Sequence, residues 1–285
     1  MHNTVTRFLL ENLDIRGAIV QLDSVWQAIS ARRKDPATVT AVLGEMCAVS
    51  AIIGANLKQA ARLTFQLTGQ GPVSLLVIDC SESLNLRGYA RHTLEEASTA
   101  PLSSLFADGQ MLMSLEMPEA RQPYQSHVPV EGESIAEIFQ HYLSQSEQQP
   151  ASLFLAANGE HAVGLFLQKL PGADLKDADG WNRAAHLAST IKREELFELD
   201  AFEVLDRLFG EETVRVYEPR IVSHDFPPDR DKIATMLRGL GSAEIEHILA
   251  EHGEVLINDE LSNHEYHFSV EEARALFGPE GPTVH

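Results

Sequence analysis

Thiols are scarce in this chain: Cys47 and Cys80 are the only two among 285 residues. Two cysteines cannot build the disulfide framework of a small secreted protein. Positive charge is also short, with 22 Lys and Arg against 42 Asp and Glu and a formal net charge of −20. So acidic a surface repels phosphate, which argues against nucleic acid and anionic membranes as partners. The deficit deepens toward the end, where residues 174–285 hold 25 of the acids but only 11 of the bases. Internal repeats, low-complexity tracts and a G-x-S-x-G elbow are missing. The stretch "GQGPVS" has two glycines but no lysine after them, so it is not a phosphate loop. No catalytic constellation stands out, and the reading is non-enzymatic. The start, "MHNTVTRFLLENLD", lacks a long apolar region behind a basic one and does not read as an export signal. The expected location is the cytoplasm. The most apolar long run, residues 37–57, contains Glu45 and two glycines and ends beside Lys58. It reads as a buried core helix rather than a membrane span.

What is present is an alternation of strand and helix patterns. Residues 16–21 read as a strand and residues 23–33 as a helix capped by Asp23. Asp35 and Pro36 suit the N-cap and first turn of the next helix, expected to reach about Arg62. That helix is apolar around most of its surface and must be covered on several sides. "RLTFQLTG" and "VSLLVID" form a hairpin pattern around "GQGP", and "LNLRGYAR", "QMLMSLEM" and "PYQSHVPV" continue the strands. Ser134 and Glu137 are spaced as a capping box for residues 134–147. "ASLFLAAN" and "HAVGLFLQKL" form a second hairpin pattern. The class is α+β, a mixed sheet packed by helices, over residues 1–172.

"PGADLKDADG" has the composition of a linker. The following "WNRAAHLASTIKREELFELDAFEVLDRLFG" predicts two or three helices too apolar to be a free tether. Residues 173–219 therefore form a helical linker lying on the core. Residues 220–285 form a small α+β domain: a helix capped by Asp229, a helix stopped by Gly253, a hairpin around "DELSN", and a helix boxed by Ser269 and Glu272. About sixty residues is near the lower limit for folding without a staple.

Twelve histidines invite a metal reading. His264 and His267 lie near Asp259, but residues three apart in a strand face opposite sides. A site gathered from His224, Asp259, His264 and His267 is the weaker alternative to solvated histidines. Cys47 is expected to pack as a small buried hydrophobe. Cys80 ends a strand and is expected to be partly exposed, which leaves a redox role open.

Taken together, "GQGPVSLLVI", "RGYAR" and "YQSHVPVEGESIAEIFQHYLSQSEQQPASLFLAA" closely resemble the core of the heat-shock protein 33 family. "IKREELFELDAFEVLDRLFGEETVRVYEP" resembles that family's linker, and "EIEHILAEHGEV" its C-terminal domain. The resemblance runs in order along nearly the whole chain. It implies an ATP-independent, redox-regulated holdase chaperone whose partners are unfolding client proteins; a homodimer is left open. It also implies a client-binding surface on the linker, here Leu196, Phe197, Phe202, Leu205 and Phe209, with the sheet beneath. The family's cofactor is one zinc ion, held by four cysteinates in C-x-C and C-x-x-C pairs. Oxidation of those thiols releases the metal and unfolds the domain and linker.

At these positions the chain departs from the pattern. Phe226 and Pro228 stand in the first pair, and Asp259 and Ser262 in the second. With all four thiols gone, the expectation is a domain without zinc. Phe226 is expected to bury in the metal's place, contributing about 1.5–3 kcal/mol, with Leu261 joining it and Pro228 stiffening the chain. Linker release would then follow heat or client competition rather than thiol oxidation. The alternative from another class is a dedicated adaptor that kept the fold and serves one partner.

Overall fold

A computed structural model of the chain describes residues 3–31, 33–98, 100–130 and 132–278. Arg32, expected in the first helix, and residues 279–285 of the expected C-terminal domain lie outside that set. The chain divides into two units, one ending at Asp225 and the other starting at Phe226.

The first unit opens with strands β1 (Thr4–Leu10) and β2 (Ile15–Leu22), then helices α1 (Ser24–Ser30) and α2 (Ala37–Asn56). Strands β3 (Arg62–Thr68), β4 (Val73–Cys80) and β5 (Leu86–His92) follow, then α3 (Leu102–Leu105), β6 (Gln110–Glu116) and β7 (Tyr124–Pro129). Helix α4 (Ile135–Glu147) leads to β8 (Ala151–Ala157) and β9 (Ala162–Lys169). The rest of the unit is α5 (Ala173–Lys176), α6 (Gly180–Ser189), α7 (Arg193–Glu198), α8 (Ala201–Phe209), β10 (Val214–Val216) and β11 (Arg220–Ile221).

The α+β class holds, but the strands make two sheets rather than one mixed sheet. The first has the order β10-β1-β2-β9-β8, with β11 also pairing β1; the second has the order β5-β4-β3-β6-β7. The named strands of these two sheets all pair antiparallel. Tight connections such as the turn between β3 and β4 permit only antiparallel neighbours, because parallel ones need a long crossover.

Helix α2 packs against β2, β8 and β9 of the first sheet and β3, β4 and β5 of the second. Its length and composition would suit a membrane span, but Leu43, Met46, Cys47, Val49 and Ile52 are buried in this core. Its small residues allow the close approach: a Cβ added at Gly54 would lie 3.1 Å from Cys80 Sγ. That contact buries Cys80 completely, against the expectation of partial exposure. The helix starts one residue late and stops at Asn56, with Pro36 as its cap. Asp35 is used elsewhere, 3.1 Å from His92 Nε2. Arg62 instead begins β3, where its guanidinium meets Asp79 through two bonds of 2.6 Å.

The first sheet is apolar on both faces, as β9 shows with seven consecutive buried residues. One face meets α2. The other face is covered by α6, α7 and α8, where Leu196, Val204, Leu205, Leu208 and Phe209 pack with Phe8, Ile15, Ile19, Leu165 and Leu167. Gly17 makes room for the Phe8 ring, which would lie 2.2 Å from an added Cβ. The stretch read as a linker by composition is fastened down: Ala173 is buried, and Lys176 Nζ donates to Glu11 O at 2.8 Å and Asp14 Oδ1 at 2.6 Å.

Residues 220–225, expected to open the small domain, belong to the first unit. Arg220 and Ile221 pair with Val5 and Thr4, Val222 is buried in the α2 core, and Asp225 N donates to Asn85 Oδ1 at 2.8 Å.

The second unit holds α9 (Arg230–Leu240), α10 (Ser242–His252), β12 (Val255–Asp259), β13 (His264–Phe268) and α11 (Val270–Ala275). Asp229 caps α9 by accepting from Lys232 N, Gly253 at φ 79° stops α10, and Ser269 and Glu272 form a reciprocal box. Its core is Ile233, Ala234, Leu237, Ile245, Leu249, Val255, Tyr266, Phe268 and Ala273.

Candidate functional site

The resemblance points to two regions: the linker surface and the four positions that it assigns to a metal. Helix α8 is strongly two-sided. Ala201, Val204, Leu205, Leu208 and Phe209 face the first sheet. Phe202 follows Ala201 by about 100° around the helix and is 59% exposed. Leu196 is buried on α7, and Phe197 is partly buried against the same cluster. Of the five residues assigned to client binding, three are therefore covered, one is half covered and one is open.

Polar contacts fix α7 at both ends. The Arg193 guanidinium donates to Ala157 O and lies 5.6 Å over the Phe197 ring. The His161 ring is 6.1 Å from the same ring and its Nδ1 is 3.0 Å from Asp23 Oδ1. Beyond the other end, buried Gln21 donates from Nε2 to Leu199 O at 2.8 Å. Arg207 ties α8 back to α7 through Glu195 Oε1 at 2.6 Å. Gln21, His161 and Arg193 had no local sequence signal, because their partners lie 178, 138 and 36 residues away.

Beneath this region, Glu45 sits half-buried on α2. Burial pushes its carboxyl up to about 7, with Arg193 partly opposing the rise. The thiols are less available still. Burial raises Cys47 strongly, and Cys80 is pushed up to about 12 by burial and by Asp79. Thiolates, not thiols, react with peroxides.

In the second unit the metal-assigned positions carry little donor chemistry. Phe226 and Pro228 have no side-chain ligand atom, and Pro228 is exposed. Asp259 Oδ1 accepts from Ser262 N at 3.2 Å, which holds the hairpin turn, and Ser262 is buried. Among the described residues no cluster of three or more His, Cys, Asp or Glu is placed to hold a metal. These residues do not fit a tetrathiolate zinc centre.

Of the weaker His/Asp grouping, Asp259 and His264 are cross-strand partners, but among the described residues no three such groups are placed to hold a metal. His224 belongs to the first unit, with Nδ1 2.7 Å from Leu86 O. His264 bonds Phe226 O. His267 points the other way along β13, with Nε2 2.6 Å from Glu265 Oε1. Phe226 also departs from expectation: it is half-buried, as is Leu261, and neither belongs to the unit's apolar cluster. Tyr266 and Phe268 from β13 fill that interior instead.

An α+β body with helices laid on one face of a sheet, followed by a small α+β unit, defines the class of fold. The family model described as Hsp33 protein matches residues 3–269, and the chain belongs to the Hsp33 family. It is 39% identical over 276 residues to a 33 kDa chaperonin of Methylobacillus flagellatus, covering 96% of this chain and 94% of that one. It is 38% identical over 275 residues to a 33 kDa chaperonin of Shewanella baltica, covering 96% of each. The crystal structure of a 33 kDa chaperonin from Thermotoga maritima matches with a TM-score of 0.78 at 23% identity, covering 96% of this chain and 98% of that one. At that identity the structural match speaks for the fold alone.

Proposed function

We propose that this chain is an ATP-independent holdase chaperone of the cytoplasm that works without a zinc–thiol switch. The chaperone class rests on family membership and on relatives named 33 kDa chaperonin. The observation that carries the mechanism is the apolar cluster under α7 and α8, where Leu196, Leu205 and Phe209 cover Phe8, Ile19 and Leu165. An unfolding client offers the same apolar chemistry and competes for both sides of that contact. Phe202 is the residue a client meets first, and Phe197 the next. Two features favour independence from oxidant: buried thiols that resist ionisation, and Phe226, Pro228, Asp259 and Ser262 at the family's thiolate positions.

The test is light scattering of a heat-denatured client with purified protein, at several temperatures, with and without peroxide. Suppression that rises with temperature and ignores peroxide is the expected result. A strict need for oxidant would overturn the reading. Suppression confined to one co-purifying protein would favour the adaptor role.

A further inference from the structure

The segment that opens the second unit meets β13 through Phe226, Asp229 and Arg230. The His264 imidazole donates from Nε2 to Phe226 O. Asp229 N donates to Tyr266 Oη at 2.9 Å. Arg230 Nη2 donates to His267 O at 2.8 Å and to Glu272 Oε1 at 2.8 Å, and its guanidinium lies 4.2 Å from the centre of the Phe268 ring.

Register explains why these contacts fall together. Asp259 pairs with His264, Ile257 with Tyr266 and Val255 with Phe268. Alternate residues of a strand share a face, so His264, Tyr266 and Phe268 line the inner side of the hairpin. Tyr266 is only 5% exposed, and a buried phenol needs a polar partner; the Asp229 amide is that partner. The Arg230 guanidinium combines two hydrogen bonds with a cation–π contact. The joined places are those the resemblance assigns to the metal, with Phe226 on one side and Asp259, paired with His264, on the other.

We infer that His264, Tyr266 and Arg230 form a polar clamp that takes the structural place of a metal centre, so that residues 226–278 fold without metal. The clamp contains no sulfur, and neither a chelator nor peroxide opens it. This inference concerns how the unit is held together and does not depend on the chaperone reading.

Hydrogen exchange of the full-length protein, read by mass spectrometry, tests it. Chelator treatment should leave amide protection in β12 and β13 unchanged. Tyr266→Phe keeps the ring and removes one bond, so exchange in β12 and β13 should quicken about fivefold, with α2 amides unaffected. Arg230→Ala, which removes several contacts, should quicken it further. Loss of protection on chelation would overturn the clamp. So would stoichiometric zinc in the purified protein, or unchanged exchange in both variants.

Discussion

The linker helices and the opening of the second unit are held by different physics. Over the first sheet, α7 and α8 are held chiefly by a broad apolar contact, with Gln21, Arg193 and Arg207 fixing their position. In the second unit a few directional bonds from β13 hold residues 226–230. Apolar contact is non-directional and can be replaced by any other apolar surface. A polar clamp demands a matching donor and acceptor at each point and is lost bond by bond. In the proposed reading the first contact is the one a client replaces, while the second closes a small unit whose own core is modest.

The largest effect should come from emptying the apolar contact. Phe209 is 1% exposed, and Phe209→Ala should destabilise the linker's docking by about 3–5 kcal/mol. Limited proteolysis across residues 180–210 would show it, and wild-type resistance in the variant would break the comparison. Next comes Glu45, half-buried on α2 within the electrostatic reach of Arg193. With its carboxyl raised to about 7 from the ordinary 4.5, the folded chain keeps a proton that the unfolded chain has released. Glu45 therefore costs nothing below pH 4.5, and its cost grows as pH rises to 7 and is full above it. Glu45→Gln removes that cost, so it should stabilise the protein by up to roughly 3 kcal/mol at pH 8 and by almost nothing at pH 4. Denaturant melts at the two pH values decide this, and equal effects at both would refute it.

A smaller change sharpens the other side of the comparison. Tyr266→Phe should cost about 1 kcal/mol, confined to the second unit, in the unfolding midpoint of that unit. The smallest effect on stability belongs to Phe202, on the open side of α8. Phe202→Ser should stay within about 0.5 kcal/mol of wild type yet weaken suppression of client aggregation. If aggregation is suppressed as well as before, clients do not meet that ring first.

Much of the fold was legible from local signals. Asp229, Gly253 and the Ser269–Glu272 box mark helix ends where the structure has them. The hairpins β3–β4, β8–β9 and β12–β13 follow their turn residues. Ser134 caps α4, but Glu137 accepts from Glu133 N rather than closing the expected box.

What escaped the sequence lies in long-range pairing. Strand β1 sends Val5 to the α2 core and Phe8 to the linker cluster, a placement its seven residues do not announce on their own. Cys80 looked exposed because its covering residue, Gly54, comes from a helix that precedes it by more than twenty residues. Phe226 was expected to fill the metal's place by burial. The hairpin's own aromatics, Tyr266 and Phe268, already occupy that interior, and the backbone carbonyl of Phe226 is what the structure uses. The missing thiols draw attention to Phe226, Pro228, Asp259 and Ser262, but not to His264, Tyr266 and Arg230, whose partners lie far off in sequence.

The central claim is that neither the linker nor the second unit answers to oxidant. Hydrogen exchange across residues 180–278, measured before and after peroxide treatment, tests it most directly. The account predicts superimposable exchange in α7, α8, β12 and β13. Peroxide-induced loss of protection in those elements would contradict it.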